Sequence, residues 1–226
     1  MRITDCPSPN FNERALPVSM IVLHYTGMVD ADAAIDRLRS PDAGVSAHYV
    51  VKEDGEVLRL VDEDKRAWHA GKSYWRGITD VNSASVGIEI VNPGHEFGYR
   101  PFPDEQVAAL IPLVADVKAR HGIGRGNIVG HSDVAPTRKE DPGELFPWGA
   151  LARRRLALPS PTRDLMDPYW TDAGFLLALE RFGYDVSDPM MATIAFQRRF
   201  RPERIDGIVD GECRAKLLAL LLPRPQ

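Results

Sequence analysis

Short apolar runs separated by turn residues dominate the first two thirds of the chain, and this pattern predicts buried strands. The run VSMIVLHY, from Val18 to Tyr25, is rich in branched residues, and its short length favours a strand over a helix. The run SVGIEIVN, from Ser85 to Asn92, predicts a second buried strand. Each run contains one residue that does not fit an apolar interior, His24 in the first and Glu89 in the second.

Helical spacing and turn signals place further elements around these strands. Ala31 to Leu38 has the spacing of a helix, and the Asp54-Gly55 pair between two β-rich runs predicts a hairpin. A longer helix is predicted from Pro103 to the stop at Gly122, and Asn127 to His131 forms a short strand. Strands and helices interleave without strict alternation, so we expect an α/β fold with a mixed central sheet packed by helices.

The pattern changes after Leu156, where LALPSPTRD contains two prolines and little apolar surface. We expect an exposed linker near Pro159 to Asp164. Three segments beyond it have a capping residue and an apolar face: Thr171 to Phe182, Pro189 to Arg201, and Gly211 to Leu222. The sequence therefore predicts one domain over residues 1–158 and a small three-helix domain over residues 159–226. The candidates for the core of the small domain are Leu176, Leu179, Ile194, Phe200, Leu217 and Leu220.

Composition narrows the classes of function. The formal net charge is -4, and the sequence shows no basic face of the kind that a nucleic-acid partner requires. No run approaches the roughly 20 apolar residues of a membrane span, and the start MRITDCPSPN has no apolar export segment. We therefore expect a cytoplasmic protein, with the periplasm or the cell envelope as the alternative. Cys6 and Cys213 are far apart in the chain and are expected to be free thiols.

Four polar residues occur where packing alone would not place them: His24, Glu89, His131 at a strand end, and Asp141 ten residues later. A lone histidine on an apolar strand is more often a hydrogen-bonded core residue, and a strand glutamate is more often exposed at an edge. Together, however, the four supply what a catalytic zinc ion needs: two imidazoles, one carboxylate and a separate carboxylate to accept a proton from water. Lys139 could stabilise the oxyanion that forms when an amide is attacked, or be a solvated loop lysine.

The chain also resembles a known family. In order, IVLHYT, VSAHYVV, AWHAGKSYWRG, SVGIEIVNPG, IVGHSDVAPTRKEDPG and FPW are similar to elements of zinc-dependent N-acetylmuramoyl-L-alanine amidases of the AmpD/AmiD type, relatives of phage lysozyme-like amidases and peptidoglycan recognition proteins. The resemblance covers roughly Met20 to Trp148. It implies hydrolysis of the bond between N-acetylmuramic acid, or its anhydro form, and L-alanine. Peptidoglycan or anhydromuropeptides would be the partner.

The resemblance implies a role for each matched residue. His24, His131 and Asp141 correspond to the zinc ligands. Glu89 corresponds to the general base that activates the zinc-bound water, and Lys139 corresponds to the residue that stabilises the tetrahedral intermediate. The alternative is a peptidoglycan recognition protein that binds without cutting. Non-hydrolytic relatives typically lack a metal ligand, so the presence of all three residues favours the enzyme.

The loop from Ala67 to Gly77 is crowded with aromatic residues and glycine. A patch packed under a long loop is the structural interpretation, whereas the resemblance implies a loop that lines the substrate groove. We expect His69 and Trp75 to contact the substrate. His48, on a predicted strand, has either a groove role or a structural one.

The segment from Thr171 to Leu222 is similar to the three-helix peptidoglycan-binding domain often fused to such amidases. Its motif FQRRF would occur in any small helical core, so wall binding is open on sequence grounds. Because a wall-binding domain has no use in the cytoplasm, we expect weak or absent binding of the Pro161 to Gln226 segment to sacculi. The sequence does not indicate an oligomeric state.

Overall fold

The computed structural model describes residues 2–163 and 165–222. Met1, Asp164 and residues 223–226, which belong to the predicted domains and linker, lie outside the described residues. The strands are β1 Ile3–Asp5, β2 Phe11–Glu13, β3 Met20–Tyr25, β4 Tyr49–Val51, β5 Val57–Arg59, β6 Lys65–Ala67, β7 Ser85–Ile90 and β8 Ile128–Gly130. The helices are α1 Ala31–Arg39, α2 Val81–Ala84, α3 Gly94–Phe97, α4 Asp104–His121, α5 His131–Val134, α6 Trp148–Arg153, α7 Asp172–Phe182, α8 Pro189–Phe200 and α9 Gly211–Leu221.

Six strands form the central sheet in the order β1-β5-β4-β7-β3-β8, and β2 pairs with β6 in a separate ribbon. Within the central sheet only β4 and β5 are antiparallel, whereas the other neighbouring pairs are parallel. The predicted mixed sheet is thus confirmed. The register of β3 and β7 places His24 opposite Glu89.

The β4–β5 hairpin is confirmed, although its turn is longer than a two-residue one. Lys52 N–H donates to Glu56 O at 2.8 Å, and Gly55 N–H donates to Lys52 O at 3.0 Å. Gly55 has φ of 84°, a left-handed conformation that suits a three-residue hairpin loop. Any other residue at position 55 would strain the backbone of this turn, because L-amino acids with a side chain rarely adopt a positive φ.

The two faces of the central sheet are covered by different parts of the chain. Ile21, Leu23 and Ile88 pack with helix α4 in one apolar cluster. On the other face, Met20, Val22 and Val129 pack in a second cluster with buried residues of the C-terminal helices, including Phe175, Leu179, Ala192, Phe196 and Leu217. The C-terminal helices therefore complete the core of the sheet.

The predicted C-terminal helices are present, and the side chains of Thr171, Asp188 and Asp210 cap them as expected. The predicted linker before them is exposed only in part: Thr162 and Arg163 are exposed, whereas Pro159 and Ser160 are half-buried. Pro161 is buried, and Ser160 Oγ donates to Phe200 O. The division into residues 1–158 and 159–226 stays a prediction, since a shared apolar cluster crosses it.

Of the predicted core candidates in this region, Leu179, Phe200 and Leu217 are buried. Leu176 and Leu220 pack at the margin of the cluster, whereas Ile194 is half-buried. Cys6 and Cys213 are free thiols, as predicted. No helix within the described ranges has both the length and the apolar character to cross a membrane.

Candidate metal centre and substrate cavity

A cavity of about 410 Å³ opens at the carboxyl ends of β3, β7 and β8. His24 is the fifth residue of β3, Glu89 is the fifth of β7, and His131 directly follows β8. Because these strands are parallel neighbours, their carboxyl ends bring the three side chains to one edge of the sheet. Asp141 and Lys139 reach the same cavity from the loop after α5.

Three side-chain atoms converge at the base of the cavity. His24 Nδ1 and His131 Nδ1 lie 3.0 Å apart, and each lies 3.1 Å from Asp141 Oδ2. All three residues are buried, with exposed fractions of 1%, 3% and 6%. The structure thus brings together the three residues that the sequence proposes as metal ligands.

A chain of hydrogen bonds fixes the ring orientation of His24. Ser85 Oγ donates to Val81 O at 2.6 Å, so it accepts from His69 Nε2 at 3.2 Å. His69 Nδ1 is then an acceptor, and His24 Nε2, 3.0 Å away, is its donor. The proton of a neutral His24 therefore resides on Nε2, and the lone pair on Nδ1 points toward the other two atoms.

His131 is oriented in the same way by a main-chain acceptor. Its Nε2 lies 3.1 Å from Ala70 O and donates to it, which leaves the Nδ1 lone pair unprotonated in the neutral ring. The loop that supplies this carbonyl is itself held, because Asn82 Oδ1 accepts from His69 N–H at 3.0 Å and from Ala70 N–H at 2.7 Å. Both histidines thus present Nδ1 as a donor atom for a metal ion.

The charge states suit a cation. Burial, together with the nearby His131, lowers the pKa of His24 to about 4, so its ring is neutral at neutral pH. Burial would raise the pKa of Asp141, but its close contacts with His131 and His24 hold that pKa well below its usual range. Two imidazole nitrogens and one carboxylate oxygen beside an open cavity form a ligand set typical of catalytic zinc.

Glu89 lies beside this group on the neighbouring strand. Its Oε2 is buried, and no described residue makes a hydrogen bond to it. Burial raises the pKa of Glu89 well above its ordinary value, the charge of Asp141 adds to the effect, and Lys139 opposes it. A carboxylate that lines a cavity, has a raised pKa and has one oxygen without a hydrogen-bond partner is suited to accept a proton.

Lys139 is exposed on the cavity wall. Its backbone N–H donates to Ala135 O at 3.0 Å, which fixes the start of the loop that leads to Asp141. The positive charge of its ammonium group lowers the pKa of Glu89, which lines the same cavity. This position suits a role beside a developing oxyanion.

His69 lines the cavity, but both of its ring nitrogens are engaged, with His24 and with Ser85. The ring packs against the backbone of Gly87, where an added Cβ would lie 2.4 Å from His69 Cγ. The substrate contact of His69 stays a prediction, since the ring lines the cavity; the structure adds that His69 supports His24, a candidate metal ligand, and that glycine at position 87 makes room for the ring.

Trp75 and His48 do not line the cavity, so the predicted substrate contact of Trp75 is corrected, as is the groove role that was one of two alternatives for His48. Trp75 is 2% exposed and packs edge-on against Tyr184, with ring centroids 5.2 Å apart. His48 is fully buried, and its Nδ1 accepts from Gly87 N–H at 2.9 Å. The structural interpretation of His48 fits this contact. The aromatic residue of this loop that does reach the cavity is Trp68.

His95 lines the cavity rim, although it is not among the residues that the sequence analysis selects. Its Nδ1 lies 3.0 Å from Tyr25 Oη and its Nε2 3.2 Å from Glu144 Oε1, and its ring stacks on Tyr99. The signal was its place shortly after the strand that carries Glu89, since loops at carboxyl ends of parallel strands surround a site.

Comparison with known proteins extends this picture. A family model described as N-acetylmuramoyl-L-alanine amidase matches residues 14–144. AmiD of Escherichia coli K12, an N-acetylmuramoyl-L-alanine amidase, is 39% identical over 231 residues, which cover 90% of this chain and 82% of AmiD. AmpD of Enterobacter cloacae, a 1,6-anhydro-N-acetylmuramyl-L-alanine amidase, is 38% identical over 124 residues, covering 55% of this chain and 64% of AmpD.

Two solved structures with ligands share the fold. The complex of E. coli AmiD with anhydro-N-acetylmuramic acid-L-Ala-D-γ-Glu-L-Lys matches with a TM-score of 0.81 and 34% identity, covering 94% of this chain and 97% of that chain. AmpDh3 from Pseudomonas aeruginosa in complex with an anhydromuramic pentapeptide matches with a TM-score of 0.73 and 30% identity, covering 89% and 90%. The structural similarity thus extends over the C-terminal helices as well as the sheet.

Proposed function

The chain belongs to the N-acetylmuramoyl-L-alanine amidase family, and we propose that His24, His131 and Asp141 hold the zinc ion with which it cleaves its amide bond. The observation that carries the proposal is the convergence of two Nδ1 atoms and one carboxylate oxygen at 3.0–3.1 Å. A zinc ion bound there supplies a Lewis acid that acidifies water and polarises the amide carbonyl.

The remaining residues of the site handle protons and charge. Glu89 accepts a proton from the attacking water and passes it to the nitrogen of L-alanine as the C–N bond breaks. Lys139 places its ammonium group where the carbonyl oxygen gains negative charge. The products are a muramic-acid sugar with a free lactyl carboxylate and a peptide that begins with L-alanine.

We propose soluble anhydromuropeptides as substrates. The support is the pair of structural relatives, AmiD and AmpDh3, whose complexes hold an anhydromuramic peptide, together with a cavity of about 410 Å³ in this chain. A cavity of this size suits a sugar with a short peptide. Mass spectrometry of products from soluble anhydromuropeptides and from intact sacculi, at equal enzyme concentration, distinguishes this substrate from polymeric wall.

The metal assignment is tested by replacing His131 with alanine. We expect the variant to lose both zinc, measured by elemental analysis after dialysis, and hydrolysis of an anhydromuropeptide, because a catalytic zinc site needs three protein ligands. His95→Ala is the matched control, since His95 lines the same cavity without joining the three atoms. Full activity in metal-free His131→Ala protein would exclude the assignment.

The compartment stays a prediction. We propose cytoplasmic action on soluble wall fragments, and the periplasm or envelope is the alternative. Fractionation of cells that carry the native gene, followed by immunodetection, decides between the two.

A further inference from the structure

The first turn of α5 holds two of the three proposed ligands in register. The helix begins at His131, and Ser132 N–H donates to Asp141 O at 2.8 Å. Gly130, just before the helix, packs so closely on the Asp141 loop that an added Cβ would lie 2.7 Å from Pro142 Cδ. The distance between His131 and Asp141 therefore depends on the shape of this turn.

The shape of the turn depends in part on Asp133, whose side chain faces away from the cavity and is 1% exposed. Asp133 Oδ2 accepts from Gly130 N–H at 2.7 Å, which closes the turn around His131. Asp133 Oδ1 accepts from Tyr184 Oη at 2.6 Å. Tyr184 lies between α7 and α8, so a residue of the C-terminal region completes the hydrogen bonds of a carboxylate two positions from a ligand.

The same segment of the C-terminal region also holds the loop that carries His69. Arg76 N–H donates to Gly183 O at 3.0 Å, and Arg76 Nε donates to Phe182 O at 2.9 Å. The Tyr184 ring packs on Trp75 of that loop. At Gly183 φ is 145° and an added Cβ would lie 2.7 Å from Arg76 Cγ, so the contact requires glycine.

We infer that Tyr184 is a positioning residue for the metal centre, and that it acts through Asp133 on the turn that carries His131 and holds Asp141. The inference rests on the proposed zinc site. Tyr184 does not line the cavity, so it touches neither the substrate nor the donor atoms. The C-terminal helices are, on this inference, part of the catalytic unit.

The experiment compares Tyr184→Phe with Leu217→Ala in the full chain. Tyr184→Phe keeps the ring that packs on Trp75 and removes only the hydroxyl group that donates a hydrogen bond to Asp133. Leu217, on α9, is fully buried in the same apolar cluster, and its aliphatic side chain has no group that could donate a hydrogen bond to Asp133. Leu217→Ala therefore lowers the melting temperature without removing this hydrogen bond.

Zinc affinity, measured by competition with a chromophoric chelator, is the main readout. We expect Tyr184→Phe to weaken zinc binding about 10-fold, the lower end of the range for residues that support metal ligands, and to lower kcat more than it raises KM. Leu217→Ala should keep wild-type zinc affinity even if its melting temperature falls further. Equal zinc affinity in the two variants would overturn the inference and leave Tyr184 as a packing residue.

Hydrogen exchange in metal-free protein keeps this test separate from the zinc proposal. The Gly130 amide donates to Asp133, so peptides that cover residues 128–134 should exchange faster in Tyr184→Phe than in Leu217→Ala. Asp133→Ala, which removes the acceptor of the Gly130 amide, should accelerate the same peptides. A wild-type protein that binds no zinc refutes the proposed function. Unchanged exchange in both Tyr184→Phe and Asp133→Ala refutes the positioning role.

Discussion

The two faces of β3 and β7 are built from alternate residues of the same strands, yet they contain opposite chemistry. One face, which we call the α4 face, is uniformly apolar and packs under α4. The other, the site face, combines apolar residues that pack on the C-terminal helices with small, polar and titratable residues. The α4 face consists of Ile21, Leu23, Val86, Ile88 and Ile90, and the site face of Met20, Val22, His24, Ser85, Gly87 and Glu89.

The difference shows how the fold separates stability from chemistry. Large aliphatic side chains on the α4 face bury apolar area, which stabilises the sheet. On the site face, the small residues Ser85 and Gly87 leave space for the His69 ring. The ring can therefore lie beside His24 and support it. Because side chains alternate with a period of two, a substitution on the α4 side of β7 should lower stability and spare activity, whereas one at the next position should affect the site.

The largest effect is expected on the site face at Glu89. Glu89→Gln keeps the size of the side chain and removes the proton acceptor, so turnover should fall about 10²- to 10⁴-fold, while zinc content and melting temperature stay near wild type. Steady-state kinetics with an anhydromuropeptide measure this loss. Turnover near wild type would reduce Glu89 to a structural residue of the strand.

His69→Ala should have the next largest effect. The substitution removes the acceptor that fixes the proton of His24 on Nε2, and loss of such a supporting contact typically costs about 10- to 100-fold in metal affinity. Chelator competition measures zinc affinity directly. If His69→Ala raised KM for the substrate and left zinc affinity unchanged, His69 would be a substrate contact after all.

The pH dependence of kcat/KM should report the ionisation of Glu89 on the site face. Glu89 acts in its carboxylate form, and its pKa is raised above the ordinary value of 4.5. Below that raised pKa, kcat/KM should fall about tenfold per pH unit as the base becomes protonated, and above it the acid limb should level off. The profile is measured at saturating zinc. An acid limb with its midpoint at or below the ordinary glutamate pKa would contradict the assignment.

Gly87→Ala should disturb the site from within the strand. The new methyl group would lie 2.4–2.6 Å from three His69 ring atoms, so the ring must shift, and overpacking of this kind costs about 1–3 kcal/mol of stability. We expect zinc affinity to fall, but less than in His69→Ala, whose ring is absent. Unchanged zinc affinity would show that the ring can move without disturbing His24.

The neighbouring substitution Ile88→Val should have the smallest effect on activity. Ile88 lies on the α4 face, and loss of one buried methylene costs about 0.5–1.5 kcal/mol of stability. Zinc affinity and kcat should stay at the wild-type level. Thermal unfolding and steady-state kinetics check both statements. A loss of zinc affinity as large as that of Gly87→Ala would break the separation between the two faces.

Local sequence patterns are sufficient to predict the strands and helices and to identify the polar residues that interrupt the apolar strands. His24 and Glu89 stand out because each interrupts an apolar strand, and the order of the parallel strands then brings them to one edge. The helix caps Thr171, Asp188 and Asp210 are likewise local signals. Such features depend on neighbours in the sequence, so they are visible before folding.

Contacts between distant segments were not visible in the same way. Trp75 looked like a groove residue because it lies in an aromatic loop, but Phe182 and Tyr184, more than 100 residues later in the sequence, bury it. The prediction for His69 rests on the same loop, and the sequence does not show that Ser85 and His24, both distant along the chain, engage its two ring nitrogens. Composition alone gives no indication of which side of a loop another segment covers.

The apolar cluster that joins Met20 and Val22 of the sheet to Phe196 and Leu217 of the C-terminal helices has a thermodynamic consequence. Regions that share one interior lose it together, so partial unfolding of the helices exposes Met20 and Val22 on the site face of the sheet. The chain should accordingly melt in one cooperative transition, with equal calorimetric and van't Hoff enthalpies. A chimera that takes its C-terminal segment from a relative would therefore replace one side of this apolar cluster, and the new side chains would have to pack against Met20 and Val22.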